Sequence, residues 1–254
     1  MPEGDTVYRA AAALNTALAG RILTRCDIRV PRFATVDLSG SGVDEVTSRG
    51  KHLLIRVGAY SIHSHLKMEG TWHVYRSGEV WRRQAFHARI VLATADRIAV
   101  GFDLGMLHVV PRDREDEVVG QLGPDLLGAD WDAVEAARRL SARLDRPIAK
   151  ALLDQRNLAG LGNVYVNEVC FLRGILPSRP VGATDIPATV DLAHRLIRAN
   201  RNRVTRSTTG NLRPGQRSWV YGRERESCRR CGTPILLDRD LNARDSYFCP
   251  HCQR

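Results

Sequence analysis

The chain has 254 residues, 43% of them hydrophobic, which is enough for a substantial buried core and for two domains. Its 38 lysine and arginine residues against 28 acidic residues give a formal net charge of +10, which indicates nucleic acid or an anionic lipid surface as a partner. No apolar run approaches the roughly 18 residues of a membrane-spanning helix. Glu3 and Asp5 precede the first apolar stretch where a secretory leader would be basic, so we expect a soluble cytoplasmic protein.

The first predicted element is a helix over residues 5–18. Apolar side chains recur there at helical spacing and share one face: Val7, Ala11, Leu14 and Leu18. Gly20 follows as the expected end of the helix, because glycine is the usual residue just past a helix C-terminus.

Residues from Arg21 to about Pro111 form short β-branched or alternating runs. These are RILTRC, HLLIRV, SIHSHL, TWHVYR, FHARIVLAT, RIAVGFD and LHVVP. Glycine and serine turns separate them, such as SGSGVD at 39–44, and the pattern predicts a β-sandwich or barrel. The stretch 113–128 is expected to be a charged linker.

Helical periodicity returns after Asp130, a candidate N-cap. Four segments carry it: WDAVEAARRLSARL, PIAKALLDQ, NVYVNEVCFLRG and PATVDLAHRLIRANRNRV. The second half is therefore predicted to be an α-domain, and the chain an α+β protein of several domains. Residues 201–254 hold 12 arginines against five acidic residues, so much of the positive charge lies at this end.

Four cysteines form two C-x₂-C pairs separated by 17 residues: Cys228, Cys231, Cys249 and Cys252. This spacing predicts one tetrahedral Zn²⁺ ion held by four thiolates. Disulfide bonds are the alternative, which a cytoplasmic location disfavours. His251 is a second candidate for the fourth metal ligand, but the paired C-x₂-C geometry favours Cys252.

The sequence between the cysteine pairs predicts a hairpin, with PILLD and DSYF as strands around the turn RDLNA. A unit this small has little core, so the metal is expected to fold it. Its arginines can pair with phosphate, which favours nucleic acid. Cys26 and Cys170 are expected to be ordinary buried thiols.

The stretch 150–169 contains Leu-Ala-Gly-Leu-Gly-Asn between a helix ending near Gln155 and a helix starting at about Asn163. Two glycines permit close backbone approach, so this helix N-terminus is a candidate phosphate site. Asn163 would add a side-chain donor and Lys150 a positive charge. An ordinary corner between two helices explains the pattern about as well.

The opening Met-Pro-Glu-Gly raises a chemical question. If Met1 is removed, Pro2 becomes a free secondary amine, a group that no other position can supply. Simple tolerance of proline at position 2 is the alternative explanation.

Five motifs together resemble, in order, those of the formamidopyrimidine-DNA glycosylase and endonuclease VIII family. They are MPEG, SRGKHLLI at 48–55, HLKMEG at 65–70, LLDQRNLAGLGNVYVNE at 152–168 and the paired C-x₂-C motifs. The resemblance implies an N-terminal helix plus β-sandwich, a helix-two-turn-helix domain and a zinc-finger β-hairpin, with DNA bound between them. We place these at 1–112, 131–222 and 223–254, with the linker at 113–130.

The resemblance implies a bifunctional DNA glycosylase and abasic-site lyase. Pro2 would be the nucleophile that forms an iminium with the sugar, and Glu3 the general acid/base. An N-terminal amine suits this role because its pKa of about 8 leaves an unprotonated fraction at neutral pH. Lys51, counted with Pro2 and Glu3 among the catalytic residues, matches a lysine that binds phosphate near the lesion. A solvated charge at a strand end is the alternative.

Further matches concern DNA binding. Arg244 and Asn163 occupy the positions of phosphate-binding residues in the family. Lys150 and His65 are also predicted to bind DNA. Met68 is the candidate wedge that fills the space of an everted nucleotide, with core packing as the alternative.

Three departures bear on the damaged base. FDLGML at 102–107 lacks the arginine–phenylalanine pair of the formamidopyrimidine branch, Thr6 replaces a glutamate, and the segment before the zinc unit is short. These favour the endonuclease VIII branch and oxidised pyrimidines, or single-stranded or bubble DNA, where no gap needs filling. The alternatives are an 8-oxoguanine or formamidopyrimidine glycosylase and a non-catalytic zinc-dependent DNA-binding protein. A monomer is expected.

Overall fold

The computed structural model describes residues 2–239 and 244–254. These residues divide into two units. Pro2 and Thr6–Gln121 form the first unit, whereas Glu3–Asp5 and Leu122–Arg254 form the second. The N-terminal segment therefore contributes to both units within four residues.

Helix α1, Gly4–Leu18, confirms the first predicted element. The four apolar side chains of the predicted face are buried. The chain leaves the helix at Gly20, whose φ of +74° lies in the left-handed region that favours glycine.

The first unit is a β-sandwich, as predicted. Its strands are β1 Arg25–Ile28, β2 Val43–Arg49, β3 His52–Val57, β4 Tyr60–His65, β5 Thr71–Arg76, β6 Ala88–Ala93, β7 Arg97–Phe102 and β8 Met106–Pro111. Within the described residues they form two antiparallel four-stranded sheets, in the orders β1-β6-β7-β5 and β2-β3-β4-β8. One core contains buried side chains of α1 and of both sheets, including Leu14, Ile55, Ile62, Ile90 and Leu92.

Strand β2 was not predicted by the sequence pattern. It begins at Val43, inside the stretch expected to be a turn, and a register shift separates Val43 from Glu45. Only Val43 and Val46 of its seven residues are buried, so the hydrophobic alternation is too sparse to predict a strand.

The charged stretch after β8 is ordered. It contains a 3₁₀ turn, Arg112–Arg114, and the short helix α2, Asp116–Val119. Arg56 on β3 pairs with Glu115 between these two elements, with Nη2 2.7 Å from Oε2. Further 3₁₀ turns in the described chain are Pro31–Phe33, Ala85–His87 and Val181–Ala183.

The second unit is helical, as predicted. Its helices are α3 Ala133–Leu140, α4 Ile148–Leu153, α5 Asn163–Arg173 and α6 Ile186–Asn200. The prediction of Asp130 as N-cap is wrong by two residues, because the Asp132 carboxylate accepts the N–H groups of Val134 and Glu135. Helix α4 ends two residues before the predicted Gln155, whereas α5 starts at the predicted Asn163.

The C-terminal hairpin consists of β9, Leu236–Asp238, and β10, Ser246–Phe248, paired antiparallel. The predicted turn RDLNA falls largely on residues 240–243, which lie outside the described residues. A small core beneath it contains Phe171, Val220, Ile235, Cys228 and Cys249. No helix in the described part of the chain combines the length and apolarity needed to cross a membrane.

Candidate functional site

Glu3 is fully buried at the start of α5. Its Oε2 accepts the Gly162 N–H at 2.7 Å and its Oε1 accepts the Val164 N–H at 2.8 Å. The N-cap residue Gly162 has no side chain to bind the unpaired amides of the first turn, and the Glu3 carboxylate supplies the missing acceptor. A negative charge at a helix N-terminus is also stabilised by the helix dipole.

Gly162 of the α4–α5 turn and Gly4 of the N-terminal segment allow the two stretches of backbone to approach closely. A Cβ on Gly162 would lie 2.5 Å from Cδ of Glu3, and a Cβ on Gly4 would lie 2.9 Å from Cα of Gly160. The Gly4 N–H donates to the Gly160 carbonyl at 2.9 Å. The amides of Gly162 and Val164 are thus occupied by Glu3 and are not offered to a phosphate. Phosphate binding by the side chains of Asn163 and Lys150 stays a prediction.

Asp5 is the centre of a second buried cluster that the sequence did not predict. Its Oδ2 accepts from Nε of Arg206 at 2.7 Å and from the Tyr165 hydroxyl at 2.9 Å. The Arg206 guanidinium lies 4.8 Å from the centre of the Tyr165 ring, and its Nη1 is 3.7 Å from Oε1 of Glu3. No local pattern marked these residues, because Arg206 is one arginine among many.

The cluster changes the pKa values of its members. Burial raises the pKa of Tyr165, and the charge of Asp5 raises it further. Burial alone would lower the pKa of Arg206, but the hydrogen bonds to Asp5 and the charge of Glu3 outweigh burial and raise it. Tyr165 therefore stays a neutral donor and Arg206 a cation.

Asn163 connects α5 to the hairpin strand that follows Arg244. It is 4% exposed, and its Nδ2 donates to the Asp245 carbonyl at 2.7 Å. One helical turn later, Asn167 Oδ1 accepts the Tyr247 N–H at 2.5 Å. The predicted DNA-binding residues Asn163 and Arg244 are thereby brought together, with Arg244 exposed next to the bonded Asp245.

Tyr221 is a half-buried side chain whose pKa responds to the charges of both Glu3 and Arg244. Burial raises the Tyr221 pKa, the charges of Glu3 and Asp245 raise it further, and the charges of Arg206 and Arg244 lower it. Lys150 is exposed on α4 of the second unit.

The four predicted metal ligands also meet. Sγ of Cys228 is 3.9 Å from Sγ of Cys252, Sγ of Cys231 is 3.5 Å from Sγ of Cys249, and all four sulfurs lie within 4.8 Å of one another. Four sulfurs around a zinc ion at about 2.3 Å would be roughly 3.8 Å apart, so this cluster fits a tetrahedral thiolate site.

Neither alternative for the cysteines is supported. All six cysteines are among the described residues and all are free, with separations far above a disulfide bond. Among the described residues the ligand group contains the four cysteines without His251. Cys170 is buried and Cys26 is partly buried, as expected.

In the first unit, Lys51, His65 and Met68 surround the ends of β3 and β4. The Lys67 N–H donates to Nδ1 of His65 at 2.9 Å. Burial lowers the His65 pKa to about 4, and the charges of His52, Lys67 and Lys51 add to this effect. Met68 is 62% exposed, so the alternative that it packs in the core is wrong.

Comparison with known proteins identifies the family. Residues 1–103 match the formamidopyrimidine-DNA glycosylase N-terminal domain, and residues 122–204 match the formamidopyrimidine-DNA glycosylase H2TH domain. The chain belongs to the formamidopyrimidine-DNA glycosylase and endonuclease VIII family. The five sequence motifs predicted this membership.

Similar curated proteins place the chain on the endonuclease VIII side of this family. It is 56% identical to "DNA-(apurinic or apyrimidinic site) lyase Nei2" of Mycolicibacterium smegmatis, covering 100% of this chain and 99% of the relative. Identity to "Endonuclease 8 2" of Mycobacterium tuberculosis is 55%, with both chains fully covered. The formamidopyrimidine-DNA glycosylase of Listeria innocua is 29% identical over the whole of both chains.

Solved structures support the fold. A MutM chain in complex with carbocyclic 8-oxo-G containing DNA superposes with a TM-score of 0.83 at 24% identity, covering both chains completely. A Lactococcus lactis Fpg chain in complex with an abasic site containing DNA also gives a TM-score of 0.83. These likenesses confirm the predicted β-sandwich and helix-two-turn-helix architecture.

Proposed function

We propose that this family member is a bifunctional DNA glycosylase and abasic-site lyase of base excision repair, with Pro2 as nucleophile and Glu3 as general acid/base. The observation that carries the proposal is the Glu3 carboxylate, which is fully buried and hydrogen-bonded to two amides of the α5 N-terminus. A carboxylate held in this way, one residue after a proline that can become the N-terminus, pairs a proton carrier with an amine nucleophile.

The chemistry follows from the secondary amine. The Pro2 nitrogen attacks C1′ of the damaged nucleotide, and the base leaves with the electron pair of the broken bond and takes up a proton. The nitrogen loses its own proton, and a proton delivered to O4′ opens the sugar ring. The resulting iminium cation withdraws electrons from C2′, so a C2′ proton is lost and the 3′ phosphate leaves. A second elimination releases the 5′ phosphate. Water then hydrolyses the iminium and restores the amine.

DNA binding is assigned to positive and polar residues of each unit. In the first, Lys51 and His65 would face DNA and the exposed Met68 would occupy the vacated stack. In the second, Arg244, Asn163 and Lys150 would contact phosphates. This division assigns catalysis to residues 1–112, helical DNA binding to 131–222 and the zinc finger to 223–254.

A zinc ion in the cysteine cluster would hold the hairpin that carries Arg244. Four cysteine sulfurs within 4.8 Å of one another suit a soft tetrahedral ion. Zinc has no redox chemistry of its own, and with four protein ligands the site has no position open to substrate, so its contribution is folding.

We favour oxidised pyrimidines as substrates, because identity is higher to endonuclease 8 proteins than to formamidopyrimidine-DNA glycosylases and because the wedge pair is missing from FDLGML. The missing pair also favours single-stranded or bubble DNA. Removal of 8-oxoguanine is the second candidate. The protein would act as a monomer in the bacterial cytoplasm, at the nucleoid.

Borohydride trapping tests the proposal. Purified protein is incubated with strands carrying an abasic site, dihydrouracil or 8-oxoguanine, single-stranded and duplex, beside Pro2→Gly and Glu3→Gln variants. A covalent adduct on abasic and pyrimidine strands that Pro2→Gly loses supports the assignment. An adduct on the 8-oxoguanine strand alone favours the second candidate.

Mass spectrometry of the N-terminus shows whether Met1 has been removed and the Pro2 amine is free. A chain that keeps Met1 has no Pro2 amine, and tight DNA binding without any adduct would mean a non-catalytic DNA-binding protein.

A further inference from the structure

We propose that Arg206 is the positioning residue of Glu3: by binding Asp5 and facing Glu3, it fixes the N-terminal segment at the start of α5. This inference rests on the proposed function, because it assigns the role of an additional residue in that same site. Arg206 would not touch the DNA; it would act through Glu3.

The geometry carries the proposal. Two carboxylates, Glu3 and Asp5, are both buried, and two such groups would repel each other without a cation. Arg206 is that cation, with Nε 2.7 Å from Asp5 and Nη1 3.7 Å from Glu3, and only 16% of its side chain is exposed. Its planar guanidinium can reach both carboxylates at once, which a lysine ammonium cannot do with the same geometry.

Arg206 is itself held in place from several sides. Its guanidinium lies over the Tyr165 ring, whose hydroxyl donates to Asp5. The next residue, Ser207, exchanges two hydrogen bonds with the side chain of Asn200 at the end of α6, at 2.8 and 3.0 Å. The cation is therefore presented by an ordered segment and not by a mobile loop side chain.

The fully buried Glu168 of α5 holds the segment that follows Arg206. It accepts the hydroxyl of Thr208 and, at 2.8 to 2.9 Å, the backbone N–H groups of Trp219, Val220 and Tyr221. A chain of buried polar contacts thus runs from α5 through residues 206–221 to the N-terminal segment. Such a network is expected to determine where Glu3 sits to within a few tenths of an ångström.

The two chemical steps differ in their need for Glu3, and this difference supplies the test. Base excision requires proton delivery to an intact nucleotide. A preformed abasic site is already partly open-chain aldehyde, so the Pro2 amine can condense with it unaided. Misplacing Glu3 should therefore slow excision more than trapping on abasic DNA, whereas general damage to the fold should slow both.

The experiment measures single-turnover excision of dihydrouracil, borohydride trapping on preformed abasic DNA and the Kd for abasic DNA. We expect Arg206→Ala to slow excision about 100-fold, with a decrease in trapping of less than about tenfold and an unchanged Kd. Arg206→Lys should restore part of the excision rate, because it keeps the charge but not the two-carboxylate geometry.

Tyr165→Phe removes one hydroxyl from the cluster and keeps the rest, so it remains informative if Arg206→Ala fails to fold. It should slow excision about tenfold. The matched control is Arg195→Ala, an exposed arginine of α6 paired with Asp191, which should behave as wild type. Circular dichroism and thermal melting report folding of each variant.

Equal losses of excision, trapping and melting temperature in Arg206→Ala, without rescue by lysine, would reduce Arg206 to a structural role and overturn the inference. Wild-type excision in that variant would overturn it as well. If the wild-type protein forms no adduct on any strand, it is the proposed function that fails.

Discussion

The Gly162 N–H donates to Oε2 of Glu3 at 2.7 Å, so that residues 159 positions apart in the chain share one hydrogen bond. The absence of a side chain at Gly162 is what allows this contact, since a Cβ there would lie 2.5 Å from Cδ of Glu3. The motif at the N-terminus and the motif in the α4–α5 turn therefore bind each other.

Gly162→Ala should displace Glu3 and lower the excision rate. Misplacing a catalytic group by about 1 Å costs on the order of 100-fold in rate, so we expect a loss of that size in single-turnover kinetics. Gly42→Ala is the control, because a Cβ at Gly42 would meet no atom within 4 Å. Full activity in Gly162→Ala would show that Glu3 has no need of its present position.

Arg244→Ala should weaken DNA binding and should make the binding affinity less dependent on salt concentration. Loss of one phosphate contact is expected to reduce the slope of log K against log salt by about one, with little change in base preference. Fluorescence anisotropy over a salt series measures this. Arg138→Ala, an exposed arginine of α3 paired with Glu135, is the control. An unaltered slope and affinity would remove Arg244 from the contacts.

Asn163→Ala should resemble Arg244→Ala, because Asn163 holds the Asp245 carbonyl next to that arginine at 2.7 Å. The double variant should then lose less binding free energy than the sum of the two single losses, since Asn163 also acts by holding the strand that follows Arg244. Strictly additive losses in a double-mutant cycle would mean that the two residues act independently.

The cysteine cluster predicts one bound zinc ion per chain. Chelation should release it and abolish DNA binding, since the hairpin has only a small core of its own. Cys231→Ser should lose the metal, whereas Cys26→Ser should keep it. Before chelation a thiol reagent should react with Cys26 before any other cysteine, since zinc would protect its four ligands. Burial raises the pKa of both remaining thiols, but Cys26 is partly exposed whereas Cys170 is buried with a pKa of about 12. Metal analysis and thiol titration measure both; a metal-free protein that binds DNA normally would contradict this.

The histidines of β3 and β4 predict loss of stability in mild acid. Burial, reinforced by neighbouring positive charges, lowers the pKa of His52 to about 4, of His63 to about 3 and of His65 to about 4. The unfolded chain, with histidine pKa values near 6.5, binds up to three more protons below that pH.

The free energy of unfolding should therefore be constant above about pH 6.5 with respect to these groups and should fall as the pH drops towards 4. Urea denaturation across this range measures the slope. His63→Gln should reduce the slope by up to one proton. A slope that the substitution leaves unchanged would show that His63 is not the group responsible.

The sequence predicted those features that depend on local patterns. Helix α1, the cysteine hairpin and the start of α5 at Asn163 all follow from spacing, glycine placement and apolar periodicity. Strand β2 was missed because only two of its residues are buried. The N-cap of α3 was predicted at Asp130 because aspartate is a favoured N-cap residue at either position. Only the backbone conformation shows that the cap is Asp132.

The Asp5–Arg206 pair could not be predicted in this way. Its members are 201 positions apart, and neither stands in a pattern that distinguishes it from other charged residues. Pairing over such a distance is decided by how α5, α6 and the segment after α6 pack, which no local window contains. The role of the glycines at 160 and 162 was misjudged for the same reason.

The order of synthesis gives the burial of Glu3 a consequence for the cell. The ribosome makes the N-terminal segment first, but the amides that bind Glu3 come at residues 162 and 164 and Arg206 comes later still. A chain interrupted before these residues carries the amine without the organised carboxylate. On the proposed function, we therefore expect an abandoned translation product to lack base excision, which would require the complete chain.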